Sequence, residues 1–291
     1  MLLQITASGL AMGAIYALIA LGYAFVWNTM AIVNFAAGEF VTFAAYIFVA
    51  TFITQLGFPF WLALASAAAV MALLGAIFSR VVFARLQKQR PLVAIIATVA
   101  FGIFLKEMAR ILYGPEPLIY TGPFGSGSGI HVGNIVIGWQ NLLILAVVVV
   151  LTIAQGIVLK RTMLGKMMRA VALDRDTAAL MGIPVQRVLA GTFAWSSVLA
   201  ALAGMLLAPL FFVTTEMGSM VGLKGFVAMI IGGFGSIPGA IIGGLLLGVG
   251  ENWASYLLSS TYRDVIAFVI LLLFLAVRPQ GLLPERTADR A

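Results

Sequence analysis

The sequence contains no cysteine, which removes disulfides, thiolate metal sites and thiol nucleophiles from consideration. It has one histidine, His131, so a multi-histidine metal centre is excluded too. Charge is scarce: 9% of residues are Asp, Glu, Lys or Arg against 63% hydrophobic, and mean hydropathy is +1.12. A water-facing surface cannot be built from that composition, and the chain reads as a polytopic membrane protein. No basic stretch precedes the first apolar run, and the first charged residue is Glu39. That run therefore reads as a mature spanning helix, not a cleaved signal peptide. The net charge of +7 lies beside apolar runs, where Lys and Arg anchor and orient helices and imply no nucleic-acid partner.

What is present is a series of apolar runs about twenty residues long. Each suffices to cross a bilayer as a helix, which satisfies its own backbone hydrogen bonds. A barrel would need short alternating strands. The expected class is all-α, with about eight spanning units: 5–27, 32–55, 60–84, 92–113, 141–159, 188–212, a broken unit 225–256, and 265–277.

The basic residues fall in three clusters. Arg80, Arg85, Lys88 and Arg90 form the first. Lys160, Arg161, Lys166, Arg169, Arg175 and Arg187 form the second, and Arg278, Arg286 and Arg290 the third. Together they hold thirteen of the chain's 17 basic residues, whereas residues 114–139 hold none and are rich in Gly, Pro and Ser. The clusters read as cytoplasmic and 114–139 as an external loop. Parity then requires residues 214–260 to leave the outer face and return to it before the last span begins near Thr261. A break is available at Gly232, Gly233, Gly235 and Pro238. The expectation is a short helix over 225–231, a turn over 235–238 and a return helix over 240–256. The N-terminus is then outside and the C-terminus inside. YALIALG at 16–22 resembles VLAALAG at 198–204, and each precedes a glycine-containing segment that could open a second helix. This pattern is compatible with an inverted repeat.

Residues 160–187, KRTMLGKMMRAVALDRDTAALMGIPVQR, are too long and too patterned for a simple turn. Leu164, Met167, Met168 and Val171 form one apolar stripe on a short helix. Asp174 or Asp176 can cap a second helix over 177–181. Gly182 suits the position after the helix, where φ is positive, and Pro184 prevents continuation. Spacing alone leaves two readings open: an amphipathic pair lying on the membrane surface, or a lever driven by a soluble partner.

RAVALDRDTAALMGIPVQRVLAGTFAWSSVLAALAGML, beginning at Arg169, resembles the cytoplasmic loop and following helix of branched-chain amino acid ABC transporter permeases. IVNFAAGEFVTFAAY (32–46), GLKGFVAMIIGGFGSIPGAIIGGLLLGVGEN (222–252) and the ending RPQGLL (278–283) are similar to other words of that family. The resemblance covers nearly the whole chain, treated as one permease domain over 1–291, and is strongest to the LivH-type subunit. Ala37 departs from a histidine often found there. The resemblance implies a bacterial cytoplasmic-membrane subunit that shares a translocation path with a second permease subunit, identical or homologous. It further implies two ATP-binding subunits on the cytoplasmic face and an external substrate-binding protein. The chain has no G-x-x-x-x-G-K-[ST] loop. No cofactor is expected in it, ATP and magnesium belonging to the partner ATPase. Within the expected coupling segment 160–187, Val171, Ala172, Ala178 and Ala179 would fill a cleft on the ATPase. Arg169, Asp174 and Arg175 would fix register through ion pairs, and Gly182 would permit the exit turn.

For the path, Glu39 stands out. A carboxylate about nine residues into a span costs roughly 3 kcal/mol if it faces lipid, so it faces the bundle interior, either as a structural partner or as a path group. Asn34, one turn away, reads in the same two ways. Gly232, Gly233 and Gly235 could present free backbone groups at the midplane or simply allow close packing. Glu251 and Asn252 pose the same question as Glu39. Lys106, Glu107 and Arg110 read as an anchor or a contact for the external protein, and His131 as a solvated loop residue. The competing class is an ion-coupled secondary transporter of small polar solutes, which would use Glu39 and broken helices but leaves 160–187 unexplained. An intramembrane enzyme lacks any nucleophile–base pair.

Overall fold

The computed structural model describes residues 2–86, 91–125, 128–132, 135–257, 259 and 262–283. Lys88, Arg90, Thr261, Arg286 and Arg290 lie outside the described residues, as does the side chain of His131. Eleven helices are described: α1 (Leu2–Met30), α2 (Ala37–Gln55), α3 (Phe60–Leu86), α4 (Pro91–Tyr113), α5 (Trp139–Arg161), α6 (Met163–Leu173), α7 (Arg175–Leu180), α8 (Val185–Leu207), α9 (Met217–Gly232), α10 (Ile237–Leu257) and α11 (Arg263–Val277). Six are long and apolar enough to cross a bilayer. The pair α9–α10, bent by 119°, forms the broken unit. Helix α11 has 15 residues and measures about 22 Å, shorter than a bilayer core of about 30 Å. The chain also carries an antiparallel hairpin, β1 (Gly129–Val132) with β2 (Ile135–Gly138), that all-α reasoning omits. It lies within the stretch read as an external loop.

Helix α1 is apolar all round and buried from Ala11 to Val26, the signature of a helix inside a bundle. It lies against α10 through glycines. A side-chain carbon added at Gly13 would come within 2.7 Å of Gly244 O. Gly9 faces Val249 and Asn252, while Ala17 faces Gly244, so the two helices run antiparallel. Small residues let backbones approach where lipid offers no hydrophobic drive between helices.

The helix pairings show an internal exchange. Helix α1 packs on α10 as α8 packs on α3; α1 packs on α9 as α8 packs on α2; α2 packs on α4 as α9 packs on α11. Swapping α1–α4 for α8–α11 maps these contacts onto themselves. The central crossing is between Gly38 of α2 and Gly218 of α9: a carbon added at Gly38 would lie 2.6 Å from Gly218 O, and one added at Gly218 would meet Gly38 O and Thr42 Oγ1. The repeat suggested by the 16–22 and 198–204 words is thus carried by whole helix sets.

Two helix starts differ most from expectation, and α8 ends at Leu207, five residues before the expected 212. Helix α2 begins at Ala37, not near 32, because residues 31–36 form a non-helical reversal with Ala31 at φ 53°. Helix α9 begins at Met217, eight residues before the expected start. Gly218, Gly222 and Gly225 do not break it. They receive Gly38, Thr42 and Ile19 from neighbouring helices, so tertiary contact outweighs their poor helix propensity.

Candidate functional site

The first region is where α2 and α9 begin. Glu39 lies in the first turn of α2, a placement that the positive end of the helix dipole favours for a carboxylate. Its Oε1 accepts from Ser219 Oγ at 2.6 Å, in the first turn of α9. Its Oε2 is out of contact with solvent and has no hydrogen-bond partner. Thr42 Oγ1 accepts from Gly218 N at 3.0 Å. Asn34 is buried; its Oδ1 accepts from Ala36 N at 3.2 Å and its Nδ2 is unpaired. A cavity of about 60 Å³ opens here between Tyr23, Phe35, Glu39, Ser219, Leu223 and Phe226. Lys106 of α4 pairs with Glu216, just ahead of α9, at 2.6 Å.

Gly232, Gly233 and Gly235 occupy a different place. They form the α9–α10 turn, with Gly233 and Gly235 at φ 109° and 79°. The turn's carbonyls are not free: Leu282 N donates to Ile231 O and Leu283 N to Gly232 O, each at 2.9 Å, and Asn28 Nδ2 donates to Gly235 O at 2.7 Å. Asn28 belongs to the C-terminal end of α1, whose last carbonyl, on Met30, accepts from Arg175 at 3.2 Å. The turn, the 278–283 segment and residues 160–187 therefore share one end of the bundle. Of the two readings of these glycines, these bonds and the close approach of Gly232 to Gly239 favour packing. The helix ends that meet inside the bundle are those of α2 and α9.

The second region is α6–α7. Asp174 caps α7, accepting from Asp176 N at 2.9 Å, Thr177 N at 3.1 Å and Thr177 Oγ1 at 2.8 Å. These bonds hold its carboxyl below the usual range. Gly182 has φ 80°, as its position after α7 requires. The side chains divide differently from expectation. Val171 is 1% exposed and Ala178 is buried with it, in a cluster with Met168, Val188, Phe193 and Phe25; facing inward, they cannot fill a partner's cleft. Ala172 is half-buried and Ala179 exposed. Large exposed apolar groups are Met163 and Leu164 at the start of α6, and Leu173, Leu180 (87%) and Met181 around α7. Arg169 donates to Leu159 O at the end of α5 and Arg175 to Met30 O at the end of α1, the negative ends of two helix dipoles. Partial burial lowers the pKa of the Arg175 guanidinium. Asp174, Arg169 and Arg175 thus brace the segment against its own chain.

A third group was missed from the sequence apart from Glu251. Lys224 of α9 contacts Glu251 Oε1 of α10 at 2.5 Å and Asp264 Oδ1 of α11 at 2.6 Å. Arg263 Nε stands 2.6 Å from Glu251 Oε1, and Tyr16 Oη donates to Glu251 Oε2 at 2.9 Å. The signal was available: a lysine alone in an apolar helix must find an acid. Two cations and two anions close the charge count, so Glu251 reads as structural. Asn252 bonds back to Gly248 O.

Comparison with known proteins agrees with this arrangement. The family described as "Branched-chain amino acid transport system / permease component" matches residues 5–275. The chain is 34% identical to the high-affinity branched-chain amino acid transport system permease protein LivH of Salmonella typhimurium, covering 99% of this chain and 97% of that protein. It is 34% identical to BraD of Pseudomonas aeruginosa, a permease of the same description, at the same coverage. A solved structure, PsaBC from Streptococcus pneumoniae in complex with Fab, superposes with a TM-score of 0.54 over 94% of this chain and 91% of that one, at 13% identity, a likeness of fold. Nearly the whole length, from α1 into α11, is therefore that of a multi-pass transport subunit, not of an enzyme, and the chain belongs to the branched-chain amino acid permease family of ABC transporters.

Proposed function

We propose that this chain forms half of the translocation path of an ATP-driven importer for amino acids with branched apolar side chains. Its cytoplasmic segment, residues 160–187, takes up motion from a separate ATPase. The observation that carries the reading is the family match over nearly the full length. The braced segment α6–α7 supports it by presenting Leu173, Leu180 and Met181 outward at one end. Such an apolar patch on a polar segment fits a protein cleft. ATP and magnesium reside on two ATP-binding subunits. A second permease subunit, identical or homologous, completes the path, whose residues here are Asn34 and Glu39. At the opposite end a basin of about 470 Å³ between Tyr120, Thr121, Gln140, Phe211 and Phe212 is the face for an external binding protein. The charge pattern supports a bacterial inner-membrane location with the N-terminus outside and the C-terminus in the cytoplasm.

The lack of native cysteine makes the test clean. Leu180→Cys in the assembled complex should crosslink to single cysteines on the ATP-binding subunit, and Phe211→Cys should not. Crosslinking from Phe211→Cys alone would refute the orientation and the coupling role together.

A further inference from the structure

The structure assigns the Glu39 cavity as an ammonium site, the place where the positive end of a zwitterionic substrate is held. The inference rests on the amino-acid reading above and adds the group that reads the amine. Three observations converge. Glu39 Oε2 is excluded from solvent and makes no well-formed hydrogen bond, with only the Thr42 hydroxyl near the carboxyl, while Oε1 is satisfied by Ser219. A buried carboxylate oxygen in that state lacks a compensating partner. Lys106 pairs with Glu216 at 2.6 Å and acts on Glu39 only as a neighbouring charge, without a hydrogen bond to it. Next, the cavity walls are aromatic. Tyr23, Phe35 and Phe226 line it, with Phe226 5.9 Å from Tyr23 and 5.4 Å from Phe35 between ring centroids. Rings around a carboxylate attract an organic cation through their quadrupoles. Finally, the cavity is about 60 Å³, above the roughly 10–15 Å³ that a single water needs. That leaves room for an ammonium group beside the carboxylate. A carboxylate is a better fit than an amide, since an amide would present a donor of its own to the cation.

The test measures equilibrium binding to the assembled transporter in lipid nanodiscs, without the external binding protein. The probes are L-leucine and its deaminated analogue 4-methylpentanoate. Wild type should bind leucine and not the analogue. Glu39→Gln should weaken leucine by about tenfold or more, the loss of one charge-assisted hydrogen bond, and Glu39→Asp should retain part of the binding. Phe35→Leu, which keeps the apolar wall and removes a ring, should also weaken leucine and answers the same question if Glu39→Gln fails to assemble. Unchanged leucine binding in Glu39→Gln and Phe35→Leu, in a transporter that still imports leucine, overturns this inference and leaves the transport reading standing. If wild type neither binds nor imports leucine, the substrate reading falls and takes the inference with it. Binding that depends on sodium or potassium and ignores the amine would assign the cage to a metal cation and overturn the proposal.

Discussion

Removing the Glu251 charge by Glu251→Gln tests whether α9 is held by its ion cluster. Glu251 is 0% exposed and is approached by Lys224 at 2.5 Å, Arg263 at 2.6 Å and Tyr16 at 2.9 Å. Losing one member of a buried pair leaves an uncompensated charge and costs roughly 3–5 kcal/mol. Asp264 touches the same lysine at 2.6 Å but is 45% exposed, so Asp264→Asn should cost about 0–1 kcal/mol. The double variant Lys224→Met with Glu251→Met removes both buried charges and should cost less than the sum of its singles by roughly 1–3 kcal/mol. Thermal or denaturant unfolding of the assembled transporter in one lipid mixture reads these variants and the two single Met variants. Equal costs for Glu251→Gln and Asp264→Asn, or strict additivity in the double variant, would refute the reasoning. The consequence reaches transport, because Lys224 lies on the helix that supplies Ser219 to Glu39.

Leu180→Glu with Met181→Glu should leave the subunit's stability within about 0.5 kcal/mol, as exposed substitutions do, while abolishing stimulation of the ATP-binding subunit; Val171→Asp should instead unfold the segment, and a thermal melt separates the two. Gly182→Val places a β-branched residue at φ 80°, which should cost about 1–2 kcal/mol and uncouple ATP hydrolysis from uptake, measured as their ratio in vesicles. Asp174 has a folded pKa below the unfolded value, so its stabilisation is present above the usual carboxylate range and is lost as pH falls through the folded pKa. Protection of the Asp176 and Thr177 amides against hydrogen exchange, corrected for intrinsic rates, should drop in that acidic window, and Asp174→Ala should show low protection at every pH.

Spans were legible because apolar runs of membrane length admit few structures. The two helices of 160–187 were legible for a local reason: Asp174, Gly182 and Pro184 act on their immediate neighbours. The direction in which that segment faces was not. Of the expected stripe, Met168 and Val171 grip the chain itself while Leu164 is exposed, and the outward apolar groups around α7 are Leu173, Leu180 and Met181. Helix α9 was misjudged because glycines at 218, 222 and 225 look like breaks until the opposing backbone is known. Glu39 lies in the first turn of its helix, less deep than the sequence suggests, since nothing local marks the reversal at Ala31. Tyr23, Phe35 and Phe226 come from three separate segments and converge only in the fold.

The most direct measurement is uptake of labelled L-leucine into proteoliposomes holding this chain, its partner permease, the ATP-binding subunits and the external binding protein. Uptake should require ATP, cease when the ATP-binding subunits are omitted, and fall sharply in Glu39→Gln while ATP hydrolysis continues. Leucine uptake by this chain alone, driven by a sodium or proton gradient without ATP, would contradict it.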